Sequence, residues 1–356
     1  MSYRQGSLRN LWSLALVVGI LVATLCSCGR QAPPEVTPST GPVPSPQAAP
    51  GGGTESPRLD GKRIGISLLT KQHVFYQDLE RGFRDAVKAT GAELLIESAE
   101  FDAKLQDDQV ANFVVEKVDA IILCPADSAS VGGAVKKANA AGIPVFTADI
   151  AAKEGDVVSH IASDNKQGGR LAAQYLAEAL GGKGKVVVID HPAVTSVQER
   201  VAGFEEELAK HAGLDIVTKQ PAEGQRAKAR DVMENTLTSR PDIAGVFGIN
   251  DDSALGALAA CRAHKGAEKI VIVGYDATPE AVGEILAGGQ LKADVVQHPY
   301  RMGKTAIEAI ARHFAGEALE KFIPIDVDIV DKARLEQMKA EGKLRQSGDE
   351  WMLVEE

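Results

Sequence analysis

The sequence is poor in aromatic residues and carries no excess of positive charge. Only 4% of its 356 residues are Phe, Trp or Tyr, and 39 basic against 49 acidic residues give a formal net charge of −10 at pH 7. This balance disfavours a chain whose main partner is a phosphate backbone. We therefore expect no nucleic-acid partner.

Cysteines and catalytic motifs are also scarce. The four cysteines are too few for a disulfide scaffold and lack zinc-site spacing, so we predict no metal, no cofactor, and inert buried thiols at Cys124 and Cys261. Neither G-x-G-x-x-G nor G-x-S-x-G occurs. The Met302-Gly303-Lys304-Thr305 run lacks the leading glycine of a phosphate-binding loop, because position 298 is His. We therefore predict that the protein is not an enzyme.

The N-terminus predicts export. Arg4 and Arg9 precede an uncharged run of 15 residues, Leu11 to Leu25, which is shorter than the about 20 residues that cross a bilayer as a helix. The following Leu-Cys-Ser-Cys resembles a bacterial lipobox, so we predict a signal peptide over 1–27 and lipidation of Cys28 outside the cytoplasm, in the periplasm or at the cell surface. Cys26 is the rival, and an uncleaved signal or soluble secretion is the other alternative.

A tether is predicted between the signal and the folded part. Residues 28–60 contain eight of the 16 prolines and the Gly51-Gly52-Gly53 run, with almost no large apolar side chains. Such a segment buries too little surface to order itself. The rest of the 356 residues is enough for two lobes of about 150 residues each.

The remaining chain alternates short apolar runs with stretches of helical period. This alternation predicts α/β lobes with parallel sheets covered by helices. Examples of the helical stretches are 77–90, 167–180 and 200–211. The runs that we predict as strands are 64–69, 94–97, 120–123, 144–147, 157–161, 185–189, 216–219, 245–249, 270–274 and 291–296.

A weak internal repeat predicts that the two lobes are copies of one fold. Three short matches occur in the same order, at offsets of 121, 125 and 127 residues. They pair Arg81-Gly82-Phe83 with Ala202-Gly203-Phe204, Ala126-Asp127-Ser128-Ala129 with Asp251-Asp252-Ser253-Ala254, and Asp149 with Asp276. We therefore predict two facing, doubly wound parallel-sheet lobes.

Polar and aromatic residues follow the predicted strands, where ligands bind in open parallel sheets. Carboxylates, amides, a guanidinium and rings together suit a neutral sugar, whose hydroxyls donate and accept and whose C–H faces pack on rings. Two carboxylates against one arginine disfavour an anionic ligand. The predicted site residues are His73, Phe75, Tyr76, Asp149, Arg200, Asn250, Asp276 and Gln297, with Asp190 and His191 nearby.

From Lys62 to about Val330 the sequence resembles the ribose-type periplasmic binding proteins, the substrate receptors of sugar ABC transporters. The most specific stretch is 157–165 followed by Gly168-Gly169. The resemblance implies ring stacking by Phe75 and Tyr76, hydroxyl contacts by Asp149, Asn250, Asp276 and Gln297, and bidentate donation by Arg200. This chain has His73, Ile150 and Gly224 where the ribose receptors have Asn, Arg and Phe.

The resemblance also implies a type I periplasmic binding fold with a three-stranded hinge, near 162–164, 297–299 and 323–325. We assign 61–162 and 298–324 to lobe 1, and 163–297 and 325–356 to lobe 2 with a C-terminal tail. The implied function is a monomer that binds a ribose-like monosaccharide, pentose or hexose, and delivers it to the ABC permease. The alternatives are a sensor subunit for a receptor kinase or chemoreceptor, and an enzyme that uses Asp149 and Asp276 as acid and base.

Plainer roles compete for several of these residues. An Asp after a strand is often a cap or a turn former, and Arg200 could be a solvated helix charge. Phe75 or Tyr76 could belong to the core, and His191 is as consistent with a strand end as with a cleft. We expect neither Arg200 nor Asp276 to belong to the core.

Overall fold

The computed structural model describes residues 57–348 and 350–354. The predicted signal peptide, Cys26, Cys28 and nearly all of the predicted tether lie outside these residues. Within the described ranges, no helix combines the length and the apolar character needed to cross a membrane.

The first lobe is a six-stranded parallel sheet flanked by helices. Its strand order is β11-β5-β4-β3-β1-β2, and every pairing is parallel. Its elements are β1 (Arg63–Leu68), α1 (Val74–Thr90), β2 (Glu93–Ser98), α2 (Ala103–Val115), β3 (Ala120–Leu123), α3 (Gly132–Ala140), β4 (Val145–Ala148), β5 (Val157–Ser163), α9 (Pro299–Phe314) and β11 (Phe322–Ile325).

The second lobe repeats this topology. Its strand order is β12-β10-β9-β8-β6-β7, parallel except for β12, which runs antiparallel to β10. Its elements are α4 (Asn165–Ala179), β6 (Lys183–Asp190), α5 (Thr195–Leu208), β7 (Gly213–Pro221), α6 (Arg226–Ser239), β8 (Ile243–Gly248), α7 (Asp251–Ala263), β9 (Val271–Asp276), α8 (Pro279–Ala287), β10 (Leu291–Val296), β12 (Asp328–Asp331), α10 (Lys332–Ala340), β13 (Leu344–Ser347) and β14 (Glu350–Leu353).

The predicted fold class is confirmed: two α/β lobes with equivalent sheets. Each of the ten predicted runs overlaps a strand from β1 to β10. The sequence did not predict β11, β12 or the β13–β14 hairpin as strands, because these four-residue strands are too short to show a clear apolar alternation. The example helices begin two to five residues earlier than predicted, at Val74, Asn165 and Thr195.

The repeated glycines have the same packing role in both lobes. A Cβ atom on Gly82 of α1 would lie 2.2 Å from the Tyr300 carbonyl oxygen of α9, and one on Gly203 of α5 would lie 2.0 Å from the Lys166 carbonyl oxygen of α4. Such distances are too short for any side chain, so each helix pair needs glycine to pack backbone against backbone. The repeat seen in the sequence thus marks equivalent helix contacts.

The chain passes between the sheets three times. β5 ends at Ser163 before α4, β10 ends at Val296 before α9, and β11 ends at Ile325 before β12. Leu59, which the sequence analysis placed in the tether, is packed against lobe 1: it is 1% exposed, and its N–H donates to the Thr90 carbonyl. Leu59 therefore belongs to the folded lobe and not to a tether.

Candidate ligand-binding site

A cavity of about 60 Å³ lies between the lobes, at the carboxyl ends of β1, β4, β6, β8, β9 and β10. All eight predicted site residues line it: His73, Phe75, Tyr76, Asp149, Arg200, Asn250, Asp276 and Gln297. His191 lines it too, whereas Asp190 is not among the lining residues. The carboxyl-end rule thus brought together residues from both lobes that are far apart in sequence.

Asp149 provides a buried acceptor from lobe 1. It follows β4 with a positive φ of 64°, and its Oδ2 accepts a hydrogen bond of 2.6 Å from the Tyr76 hydroxyl. Burial raises the pKa of Asp149 to about 6, although the Tyr76 hydroxyl and the Arg200 charge lower it. The Tyr76 hydroxyl is therefore committed to holding this carboxylate, while its ring remains on the cavity wall.

Asp276 provides the equivalent carboxylate from lobe 2. It ends β9 with a positive φ of 118°, and Gln297 Nε2 donates to its Oδ1 at 2.6 Å. Gln297 Oε1 in turn accepts from the Ser163 hydroxyl at 2.6 Å, so it links the end of β5 to Asp276. Burial raises the pKa of Asp276, against the opposing charges of His73 and Arg200.

His73 faces Asp276 from the other lobe. Its Nδ1 accepts from the Phe75 backbone N–H at 3.1 Å and so caps α1. Its Nε2 lies 3.4 Å from Asp276 Oδ2 and 3.9 Å from Asp252 Oδ2. Because Nδ1 is an acceptor, a neutral His73 carries its hydrogen on Nε2, the atom directed at the carboxylates.

Arg200 is buried rather than solvated, with 3% of its surface exposed. Its Nε and Nη2 donate to Asn165 Oδ1 at 3.2 and 2.7 Å, and Nη1 donates to the Ile249 carbonyl. The guanidinium lies 3.4 Å from the centre of the Tyr275 ring. Three of its five N–H groups serve these contacts, which leaves one on each Nη for a ligand.

Asn250 caps the N-terminus of α7 as well as lining the cavity. Its Oδ1 accepts from the Ser253 N–H at 2.9 Å, and its Nδ2 donates to the Gly224 carbonyl at 3.1 Å. The second hydrogen of Nδ2 remains available at the cavity wall. Burial lowers the pKa of the neighbouring His191, which favours the neutral ring.

One side of the cavity is apolar. Leu69, Phe75 and Ile150 from lobe 1 and Val194 and Val197 from lobe 2 all line it and belong to one continuous cluster of buried side chains. Eight further lining residues were not predicted from the sequence: Leu69, Thr70, Phe101, Val194, Ser196, Val197, Glu223 and Ile249. Four of them, Leu69, Thr70, Glu223 and Ile249, follow a strand end within two residues and could have been found by the same rule. Phe101 lies in a loop, with a φ of 64°, and carried no signal.

Direct hydrogen bonds join the lobes beside this apolar side. Thr195 N–H donates to Ser128 Oγ at 3.0 Å, and Ala151 N–H donates to Thr195 Oγ1 at 2.9 Å. Ser128 Oγ lies 3.3 Å from Thr195 Oγ1, and Ser128 N–H donates to the Ala193 carbonyl at 3.2 Å. We call this contact the Ser128–Thr195 latch. It holds the two lobes together at one edge of the cavity.

The turn that carries Ser128 is fixed by Asp127. Its Oδ1 accepts from the backbone N–H groups of Ala129 and Ser130 at 3.0 and 2.6 Å. Asp127 is therefore a turn former. Its equivalent in the sequence repeat is Asp252 of lobe 2, which lies in the first turn of α7 instead of in a turn between elements.

The site suits a small neutral ligand that carries several hydroxyls. Two carboxylates from opposite lobes accept, the remaining Arg200 and Asn250 hydrogens donate, and the rings and aliphatic side chains cover C–H faces. Within the described residues, no cluster of His, Cys, Asp and Glu could hold a metal ion. The chemistry is that of reversible binding by hydrogen bonds in a desolvated cleft.

Residues 64–318 match the family model described as a periplasmic binding protein domain. The chain is 37% identical to a ribose import binding protein of Bacillus subtilis over 261 residues, which cover 73% of this chain and 84% of the relative. It is 34% identical over 246 residues to a D-apiose import binding protein of Actinobacillus succinogenes, which covers 68% of this chain and 79% of that protein.

Solved structures show the same likeness. An ABC transporter solute binding protein from Agrobacterium vitis, bound with alpha-D-tagatopyranose, has a TM-score of 0.74 and 29% identity, and the match covers 79% of this chain and 98% of that one. One from Mycobacterium smegmatis with bound glycerol has a TM-score of 0.75 and 28% identity, over 83% of this chain and 99% of that one.

Proposed function

Because the chain belongs to the periplasmic binding protein family, we propose that it is an extracytoplasmic receptor that binds a monosaccharide between its lobes and delivers it to an ABC permease. We further propose a ribose-like pentose or hexose as the ligand. The observation that carries this proposal is the convergence of Asp149 and Asp276 from opposite lobes on one cavity that Arg200 also lines and that is apolar on one side. The protein would act as a monomer and leave its ligand chemically unchanged.

The sugar assignment rests on charge and shape. A neutral polyol can satisfy both carboxylates and the spare guanidinium hydrogens, whereas an anion would meet two carboxylates against one arginine. The relatives named above are sugar or polyol binders by description. Ile150 and Gly224 line the cavity where the ribose receptors have Arg and Phe. The cavity wall is therefore less polar and wider at these positions, and the identity of the sugar is a question for the ligand screen.

A ligand screen tests the proposal. Pentoses, hexoses and polyols are screened by thermal shift, and the best ligands are titrated by calorimetry. We expect at least one neutral sugar to raise Tm and to bind in a one-to-one ratio, and to be recovered unchanged. If sugars give no shift while an acidic or cationic solute binds, the proposed ligand class is wrong. If the sugar is consumed, the acid–base alternative at Asp149 and Asp276 replaces it.

Transport and sensing are separated in cells. A strain that lacks this protein is expected to lose uptake of the labelled sugar at low external concentration, and the wild-type gene should restore it. Unchanged uptake together with a lost transcriptional or chemotactic response would instead support the sensor alternative.

Affinity is expected to fall about tenfold between pH 7 and pH 5. Asp149 has a pKa of about 6, so the carboxylate, the stronger acceptor, falls to about a tenth of the population one unit below that value. Calorimetric titration at both pH values measures the change. Asp149→Asn is the control and should bind with a flatter pH dependence; an equally steep dependence in this variant would assign the effect to another group, such as Asp276.

Membrane attachment is expected to depend on Cys28, because the thiol is the site of lipid attachment in the proposed anchor. Cys28→Ala should move the protein from the detergent phase to the aqueous phase in a phase-partition assay. Cys26→Ala is the matched control and should remain in the detergent phase. The reverse pattern would make Cys26 the anchor, and retention of both variants in the detergent phase would show that attachment does not depend on Cys28 alone, contrary to this prediction.

A further inference from the structure

Two buried carboxyl groups meet behind Asp276 in the core of lobe 2. Asp251, the first residue of α7, is 1% exposed, and Asp294 in β10 is fully buried. Oδ1 of Asp251 and Oδ2 of Asp294 are buried and have no hydrogen-bond partner among the described residues. Both lie beside Gly274, where a Cβ atom would come within 3.0 Å of the first oxygen and 2.4 Å of the second.

One proton can satisfy both oxygens. Two ionised carboxylates in contact inside a core repel each other, whereas a protonated carboxyl donates to its ionised neighbour. Burial and the Asp251 charge raise the pKa of Asp294 well above its ordinary value. Asp251 is better placed to be the ionised member, because it lies at the N-terminus of α7 and accepts the shorter backbone hydrogen bond, 2.6 Å against 3.1 Å for Asp294.

The other two oxygens of the pair hold the turn that follows β9. The Thr278 N–H donates to Asp251 Oδ2 at 2.6 Å, and the Ala277 N–H donates to Asp294 Oδ1 at 3.1 Å. These are the two residues after Asp276. Asp276 and Ala277 have positive φ values of 118° and 53°, a region in which L residues are strained. The pair thus supplies the bonds that keep this turn in place.

The charges around the pair are mostly balanced. Asp276 lies on its cavity side and faces His73 and Arg200. On the surface side, Asp252 of α7 and Glu280 of α8 both pair with Arg226. The carboxyl pair itself has no cation among these contacts, which leaves the shared proton as its means of reducing repulsion.

We propose that Asp251 and Asp294 share one proton and act together as positioning residues, holding the turn after β9 so that the Asp276 carboxylate faces the ligand. The effect on affinity rests on the proposed function, whereas the shared proton and the held turn are properties of the ligand-free protein.

Two variants at position 294 test whether the hydrogen bonds of this side chain hold the turn. Asparagine can keep these hydrogen bonds, whereas alanine removes them. In Asp294→Asn the amide oxygen can accept from Ala277 and the amide nitrogen can donate to Asp251, so affinity for the best sugar should stay within about twofold. Asp294→Ala leaves the Ala277 N–H and Oδ1 of Asp251 unpaired in the core, so affinity should fall about tenfold. Equal loss in both variants would overturn the proposal.

A double-mutant cycle with Asp276 tests whether the pair acts through that residue. In the Asp276→Ala background there is no carboxylate left to position, so Asp294→Ala should cause little further loss of affinity. If Asp294→Ala weakens binding by the same factor with and without Asp276, its role is general stability and positioning is refuted.

Carbon-13 NMR of the Asp carboxyls tests the proton directly without a ligand. In wild-type protein one carboxyl of the pair should remain protonated at pH 7, and this signal should be absent in Asp294→Asn.

The pH dependence of stability is a second test of the shared proton. The raised pKa of Asp294 means that the folded state holds this proton more tightly than the unfolded chain does. The resulting stability is present below the ordinary Asp pKa and is lost as pH rises through the raised value, a loss that Asp294→Asn should not share. Two ionised carboxyls at pH 7 would overturn the shared proton.

Backbone amide spectra of the same ligand-free proteins test the held turn. The signals of Asp276, Ala277 and Thr278 should shift strongly in Asp294→Ala and little in Asp294→Asn, and the opposite pattern would count against the proposal. If no sugar binds the wild type but both NMR results hold, the proposed function fails and the structural part of this inference stands.

Discussion

Replacing Asp276 with alanine is expected to weaken sugar affinity by tenfold to more than a hundredfold. Hydrogen bonds to a charged group contribute about 1.5 to 3 kcal/mol each, and about 1.4 kcal/mol corresponds to a factor of ten. In the closed, dry site the sugar hydroxyls that faced this carboxylate would find no water to replace it. Asp149→Ala should cause a similar loss from the opposite lobe. Calorimetric titration with the best sugar measures both.

Arg200→Ala is expected to lose as much affinity but also to lower Tm. The sequence placed Arg200 outside the core, and this is wrong: it is 3% exposed, bonded to Asn165 and the Ile249 carbonyl, and stacked on Tyr275. Its removal leaves these buried acceptors unpaired, at about 1 to 3 kcal/mol of stability. Asp276→Ala should leave the ligand-free Tm nearly unchanged. The loss of its hydrogen bond with Gln297 is offset, because the substitution removes a buried negative charge that repels the neighbouring Asp251–Asp294 pair.

Asp102→Ala is the matched control for these carboxylate variants. Asp102 accepts from the Lys104 and Leu105 N–H groups at the start of α2, and it does not line the cavity. Loss of this cap should reduce stability by about 1 kcal/mol and leave affinity unchanged. Near-native affinity in both Asp149→Ala and Asp276→Ala would remove the carboxylates from the site.

Breaking the Ser128–Thr195 latch is expected to weaken affinity by about fivefold to a hundredfold without touching the ligand. Thr195→Val removes the hydroxyl that serves Ala151 and Ser128. Two hydrogen bonds of about 0.5 to 1.5 kcal/mol each then no longer favour the closed arrangement, while the open state, hydrated at this edge, is unaffected. Because binding requires closure, the lost free energy appears in the dissociation constant.

Small-angle scattering and calorimetry together test the latch. Ligand-free Thr195→Val should have a larger radius of gyration than the wild type, and saturating sugar should bring both proteins to the same value by hinge closure. Thr238→Val, which removes a hydroxyl bonded within α6, is the control and should behave like the wild type. Unchanged affinity in Thr195→Val would show that the latch does not contribute to closure, and an unchanged radius of gyration in the wild type with ligand bound would contradict the hinge motion.

The residues of the site could be predicted from the sequence as far as the ends of the strands could be predicted. Asp149, Asn250, Asp276 and Gln297 each follow an apolar run, and parallel strands bring their carboxyl ends to one edge. What each residue contacts there was not predictable. Asn250 caps α7 and Tyr76 holds Asp149, and both arrangements depend on backbone angles that no spacing reveals. Phe101 reaches the cavity from a loop for the same reason.

The sequence by itself determined the two α/β lobes, their repeat and the strand ends that form the site, because apolar periodicity and glycine spacing are local properties that fix strands, helices and their order. Only the tertiary structure decided which distant groups meet. Ser128 contacts Thr195 across 67 positions of the chain, Arg200 contacts Asn165 across 35, and Asp294 meets Asp251 from a neighbouring layer. Such pairs arise from the closing of one lobe on the other and from the packing of helices on a sheet, where the burial of each polar group makes a partner obligatory without indicating from where in the sequence it comes.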